Sequence, residues 1–303
     1  MSPVRFHPAQ TLEVLASGRS CASAVPMATT LGDIDRVLDA VSAASGRYMM
    51  METAVYTRQF FHACQLRDEG AFGRIQFLRG AHYQDMEQWP PYWLGLPPMW
   101  YATHAVAPLL AIAGTRATAV HCFGSGWMRP ELQTLYGQPY PVKTAIFQLE
   151  APGLAAEVTR SLFHGARDYM ESFTVYGENA CYEMQMENEP PLLFEMSPVV
   201  HGERRRGSLS RPEPADRGEL LPPEIAKYTR RFVYNNEETH LSFEQGGGHH
   251  GSHPHLVHEF VRCIVEDRPS AIDAVTAANW TAAGICAHQS AMAGGQRVEV
   301  PAF

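Results

Sequence analysis

Leu31, Ile34, Val37, Leu38 and Val41 recur at i, i+3 and i+4 spacing. That is the period of one buried helix face. Thr29 or Thr30 stands where a cap is needed and Gly46 where the helix stops. A second helical stretch, AQTLEVLASG, follows His7-Pro8, carries Leu12, Val14 and Leu15, and closes at Gly18. SCASAVP, ended by Pro26, and RYMMMETAVY read as short buried strands next to these helices. Strands alternating with helices predict parallel β-α-β units. TRQFFHACQLRDEG is the next helix and ends at Gly70.

From about Gly73 the pattern changes. GRIQFLRGAHYQ, TAVHCFGSGW, KTAIFQLEA, AAEVTRSLFHG, ESFTVYGEN and ACYEMQME alternate as strands and are separated by Gly, Pro and Asn turns. With few helices between them, they predict a mainly antiparallel sheet. Residues 200–231, with three consecutive arginines and several prolines, read as an exposed arm. HPHLVHEFVRCIVED and DAVTAANWTAAGICAHQSAMAGG are two closing helices, and no internal repeat is present.

The chain has 303 residues, 45% hydrophobic and 18% charged, enough for one large or two modest domains. Its net charge of −8 supplies no basic excess for phosphates, which argues against nucleic acid as a partner. The longest strongly apolar run, Ala105 to Ala113, falls far short of the roughly 20 residues a membrane span needs. The N-terminus lacks an apolar secretion core. Six cysteines, none spaced as Cys-x-x-Cys, read as reduced and mostly buried thiols, and a cytoplasmic location is expected.

The order of elements and five phrases resemble the Gfo/Idh/MocA family, the relatives of glucose–fructose oxidoreductase and inositol dehydrogenase. HPAQTLEVLASGRS is similar to the family's helix ending AL-x-AGKHV, and SAVPMA sits where the family has its EKP strand end. LRDEGAFGRIQFLRG resembles the ELIDSGEIGRI junction that opens the second domain, and YATHAVAPLLAIAG resembles DIGVHxIDLxxxLxG. The stretch from Val265 to Val300 resembles the terminal helices. The resemblance implies a dinucleotide-binding Rossmann domain, then an open sheet that carries the substrate face and often a dimer contact. Sugars, polyols and cyclitols are the implied substrates.

Against that family pattern, no Gly-x-Gly precedes residue 124. The phosphate-holding Gly-x-Gly-x-x-Gly turn and its acidic partner therefore have no counterpart here. The expected fold class is α/β plus α+β. Residues 1–55 form a truncated Rossmann-like half, and residues 56–303 a large, mainly antiparallel open sheet domain flanked by helices. No cofactor-binding residues are assigned, and neither NAD nor NADP is expected to bind this chain autonomously. The position of the family's EKP lysine falls on Val25, that of the DIGVH aspartate on Trp100 and that of its later aspartate on Ala107, while the histidine is retained as His104.

His104 is the expected acid–base residue, with Glu52 and His82 assisting. The resemblance implies that the segments bearing Glu52, His82, Asp85 and His104 converge. Their spacing is no metal motif, and no metal ligands are assigned. The loop 89–101 holds Trp93, Trp100 and Tyr101 among prolines, a candidate wall for stacking on a sugar ring. Arg160 and His164 share one strand face and are candidate substrate contacts; a solvated face or a dimer contact explains them equally. His253, in the tract GGGHHGSHPHLVH, is a further candidate. The expected function is a small-molecule enzyme of oxidoreductase ancestry acting on a sugar-, cyclitol- or ring-like substrate by acid–base chemistry. Two alternatives are a dehydrogenase whose coenzyme half comes from a partner or was lost by truncation, and a non-catalytic subunit of a full-length relative. The expected assembly is a homo-oligomer through the C-terminal sheet, with a hetero-oligomer as the other form.

Overall fold

The computed structural model describes residues 2–89, 95–163, 165, 167, 169–186, 189–236 and 241–303. Helix α1 (His7–Ala16), strand β1 (Cys21–Ser23), helix α2 (Leu31–Ala43) and strand β2 (Tyr48–Met50) form a small α/β unit. β1 and β2 are parallel, with Cys21 opposite Tyr48. Thr30 is the α2 cap: its hydroxyl accepts from the Asp33 N–H at 3.1 Å. Ile34 and Val37 on the predicted face are fully buried.

RYMMMETAVY is a strand only as far as Met50. Glu52 then turns the chain, because its carboxylate accepts from the Ala54 N–H at 3.0 Å and opens a 3₁₀ turn over Thr53–Tyr56. Helix α3 (Arg58–Asp68) follows, capped by the Thr57 hydroxyl on the Phe60 N–H.

The larger layer is built from β3 (Ile75–Tyr83), α4 (Thr103–Ala113), β4 (Ala117–Ser125), α5 (Pro130–Tyr136), β5 (Val142–Leu149), β6 (Ala155–Ser161), β7 (Met170–Gly177), β8 (Ala180–Met184), β9 (Leu192–Met196) and β10 (Gly207–Ser210). The chain continues through α6 (Pro223–Ala226), β11 (Phe232–Asn236), β12 (Leu241–Gln245), α7 (Ser252–Val265), α8 (Ala274–Met292) and β13 (Val298–Glu299). Among the described residues nine strands pair in the order β10-β9-β8-β7-β3-β6-β5-β4-β13. Every pairing is antiparallel except β3 with β6. The mainly antiparallel expectation is therefore met.

Residues 200–231 are more ordered than an exposed arm. Gly207–Ser210 closes one edge of the sheet through backbone pairing with β9, although all four residues are exposed. GSLS carries no alternation to announce that pairing, because backbone groups alone make it.

Helices α4 and α8 cover one face of the sheet, and two glycines let them approach. A Cβ on Gly80 of β3 would lie 2.3 Å from the Ala105 carbonyl oxygen. One on Gly284 of α8 would lie 2.2 Å from the Met99 carbonyl oxygen. These contacts seat α4 and the turn Pro98–Tyr101 against the sheet. The opposite face leaves Phe123 61% and Ile146 45% exposed. Among the described residues no helix is long and apolar enough to cross a membrane.

Candidate active site

The inner face of the sheet reads as apolar until one end. Leu78 and Gly80 lead to His82 on β3, Ala156 and Val158 to Arg160 on β6, and Phe173 and Val175 back to Glu171 on β7. On β5, Lys143 stands in phase with Ala145, Phe147 and Leu149. The register places Glu171 opposite His82, His82 opposite Arg160, and Arg160 opposite Lys143. Four polar residues thus form a row across four neighbouring strands, at steps of about 4.8 Å. Each is buried, at 2%, 1%, 0% and 0% exposure in that order. Buried polar groups persist only when hydrogen-bonded, paired or meeting a ligand.

α4 lays His104 over this row. His104 Nδ1 is 2.5 Å from Glu52 Oε1 and 3.9 Å from Glu171 Oε1. Its Nε2 is 3.2 Å from the Tyr101 hydroxyl. The His82 ring meets His104 edge-on at 5.2 Å between centroids, and Tyr169 at 5.4 Å. Among the described residues neither His82 ring nitrogen has a hydrogen-bond partner.

The two histidines are pushed in opposite directions. Burial opposes charge on His104, but Glu52, Glu171 and Tyr101 outweigh it and hold the imidazolium well above its ordinary range. Glu52 is fully buried, which resists its ionisation, yet His104 and the Ala54 N–H hold its carboxyl below the usual range. Burial, with the charge of Arg160 and the other imidazoles, holds His82 well below its ordinary range. Paired groups with diverging affinities for protons mark acid and hydrogen-bonding roles. His104 is set as the charged, proton-giving group, and His82 as a neutral one with a donor and an acceptor to offer.

These residues line a cavity of about 610 Å³, with His82, Gln84, Trp89, Tyr101, His104, Tyr169, His249 and Thr53 on its polar side. Ala24, Val25 and Met51, just past the carboxyl ends of β1 and β2, line it as well, together with Val4, Ser2 and His7 from the start of the chain. The loop before α7 closes one wall with His249 and His250 at φ 43° and 54°. Left-handed backbone at non-glycine residues costs of order 1–2 kcal/mol each and often marks a functional wall. Gln59 of α3 supports it: its Nε2 meets His250 Nδ1 at 3.0 Å.

Of the residues singled out in the sequence, Glu52, His82, His104 and Tyr101 come together. Glu52 sits behind His104 rather than on the cavity surface. Arg160 is next to the site but does not line the cavity: its guanidinium donates to the carbonyls of Tyr101, His82 and Ser161 and to Gln84 Oε1. It thereby fixes the turn that carries Tyr101. Asp85 stands apart as an exposed residue whose carboxylate accepts from the Glu87 N–H at 2.9 Å, a local turn contact. Trp100 packs its ring on His288 at 5.3 Å, away from the cavity. His253 lines a neighbouring pocket of about 430 Å³ with Tyr228, Pro254 and Val257. Trp93 and His164 lie outside the described residues.

Sequence reasoning missed Glu171, Tyr169, Gln84 and His249. For Glu171 the signal was present: a carboxylate in the alternation phase of Phe173 and Val175. Among the described residues no group of three or more His, Cys, Asp or Glu is arranged to hold a metal ion.

No family model matches the chain. A curated relative, a glycosyl hydrolase family 109 protein of Stenotrophomonas maltophilia (strain K279a), is 20% identical over 100% of this chain and 71% of its own. A levoglucosan dehydrogenase solved with NADH and levoglucosan matches 99% of this chain and 78% of its own, at 20% identity and TM-score 0.74. A myo-inositol 2-dehydrogenase from Lactobacillus plantarum matches 99% of this chain and 79% of its own, at 14% identity and TM-score 0.70. The two solved structures are Gfo/Idh/MocA-type dehydrogenases, and the chain has their fold, as the resemblance implied.

The expectation that no nicotinamide coenzyme binds this chain autonomously is corrected by that comparison. The matched dehydrogenase is a complex with NADH, and the match runs over nearly the whole of this chain. The missing glycine signature, its missing acidic partner and the shortened Rossmann-like half carried that expectation, and the fold match to a chain that holds NADH overrides it.

Proposed function

We propose that this chain is an oxidoreductase-type enzyme acting on a hydroxyl or carbonyl carbon of a sugar- or cyclitol-like ring. The observation that carries the reading is the buried Glu52–His104–Tyr101 chain opening onto a 610 Å³ cavity beside neutral His82. The dehydrogenases of like fold, described for levoglucosan and myo-inositol, support the substrate class.

The apolar side chains of Ala24, Val25 and Met51, at the ends of the parallel strands, fit a flat nicotinamide ring. When bound there, that ring supplies hydride acceptance or donation. The chain's own residues handle the proton. Glu52 holds the His104 imidazolium, and His104 Nε2 delivers its proton toward the cavity at Tyr101. His82 hydrogen-bonds a ring hydroxyl and orients it. With the imidazolium favoured at rest, the resting site serves the direction in which an oxygen gains a proton. The reverse direction requires His104 to lose its proton first.

The test is to incubate the protein with levoglucosan, myo-inositol or L-sorbose and NAD or NADP, following nicotinamide absorbance. Turnover that His104→Asn abolishes supports the reading. Absence of both turnover and ligand binding across the panel overturns it. We also propose a homo-oligomer through the exposed sheet face bearing Phe123 and Ile146, because such apolar exposure on a sheet is usually covered. Light scattering of Phe123→Asp tests it, and a monomeric unmodified protein overturns it.

A further inference from the structure

Glu171 reaches three elements that the sequence keeps far apart. Its Oε1 accepts from the Tyr169 hydroxyl, lies 3.9 Å from His104 Nδ1 on α4, and lies 3.8 Å from His249 Nδ1 on the loop before α7. Its Oε2 is buried and has no hydrogen-bond partner among the described residues. A carboxylate only 2% exposed, at the end of an apolar strand face, is costly to keep unless its charge is used.

We propose that Glu171 is a second positioning carboxylate for His104: with Glu52 it flanks Nδ1 of the imidazolium, and it ties that ring to Tyr169 and to the strained His249 wall. The inference rests on the acid–base reading of His104 and deepens it. Glu52 alone fixes the ring from the side of the small α/β unit. Glu171 fixes it from the large sheet, so His104 sits between carboxylates from both parts of the molecule. Tyr169 and His249 both line the cavity. A ligand that moves either side chain therefore changes the surroundings of Glu171, and through it the hold on the His104 proton.

The groups facing His104 are Glu52 from the turn after β2, Glu171 from β7, His82 from β3, Tyr101 from the preceding turn and His249 from the loop. Arg160 lies behind Tyr101, its guanidinium 5.5 Å from that ring. The two carboxylates raise the proton affinity of His104, while burial lowers it. An ionised neighbour within about 4–6 Å shifts such an affinity by about one pH unit or more. Glu171 must then contribute measurably, even though Glu52 is nearer.

The experiment is a ring-labelled histidine NMR titration of unmodified protein, Glu171→Gln, Glu171→Asp and Glu52→Gln, with His104→Asn assigning the resonance. Glu171→Gln is expected to lower the His104 midpoint by about one pH unit, Glu52→Gln by more, and Glu171→Asp by less than Glu171→Gln. A side chain serving only to pack β7 leaves the midpoint in place. A Glu171→Gln midpoint within a few tenths of the unmodified value overturns the proposal. If Glu171→Gln does not fold, Glu171→Asp decides in the same way, because it keeps the charge but withdraws it. No substrate enters this titration. An intact shift in a protein that turns over no sugar leaves Glu171 in place and sinks the enzymatic reading; an active enzyme with an unmoved midpoint does the reverse.

Discussion

Replacing Lys143 by methionine removes a buried ammonium while keeping the length of the side chain. Lys143 is fully buried, and its Nζ lies 2.6 Å from His288 Nδ1 of α8. Burial pushes the ammonium down from 10.5 to about 8, with Cys122 opposing the fall. Burial and the neighbouring Lys143 push His288 down to about 3, so His288 accepts rather than competes for charge at neutral pH. The folded chain thus holds the lysine proton more weakly than the unfolded chain. Between about pH 8 and 10.5 the unfolded state binds more protons, so stability rises with pH across that window. Below it, keeping the ammonium inside costs about 3 kcal/mol. The variant has no such group. Its stability relative to the unmodified protein is expected to be greatest near pH 7 and to shrink by up to about 3 kcal/mol as the pH reaches about 10.5. The lost hydrogen bond to His288 is a pH-independent offset of about 1 kcal/mol, so the change in the gap isolates the charge. Guanidinium unfolding followed by tryptophan fluorescence across this pH range measures it. A gap that stays constant, or widens with pH, refutes the reasoning.

Glu52→Gln removes the nearer carboxylate from His104. The His104 value is raised in the folded state, so its contribution to stability is full below about 6.5 and is lost as pH rises through the raised value. Thermal melts should show that loss moving to lower pH in Glu52→Gln, and the alkaline limb of turnover should move with it. Gly80→Ala places a Cβ about 2.3 Å from the Ala105 carbonyl oxygen; α4 must shift, and a melting study should show a loss of about 1–3 kcal/mol together with weakened turnover. His249→Gly relieves a φ of 43°. It is expected to hold or raise stability by up to about 1 kcal/mol while weakening ligand binding, and calorimetry with the best substrate of the panel checks the second half.

The local order of the chain was legible in the sequence. Spacing of Ile34 and Val37, the Thr30 cap and the alternation in β3, β5 and β7 are properties of neighbouring residues, and backbone geometry ties them to helix or strand wherever they occur. The strand before Glu52 was overextended because nothing local shows a carboxylate folding back onto the Ala54 N–H. β10 escaped notice because pairing through backbone groups leaves no mark in side-chain alternation. His104 was legible from its phrase, and Glu52 and His82 from where the resemblance placed them. The electrostatic surroundings that set their protonation were not. That His104 is charged and His82 neutral depends on Glu171, Arg160 and Glu52 reaching them from other strands and turns. Of the polar residues in the apolar phase, His82 and Arg160 were singled out in the sequence, while Glu171 and Lys143 were not. Only the register of β7, β3, β6 and β5 sets Glu171, His82, Arg160 and Lys143 in one buried row, because cross-strand alignment is fixed by hydrogen bonds between distant segments, His82 and Glu171 being 89 positions apart, not by the residues within any one of them.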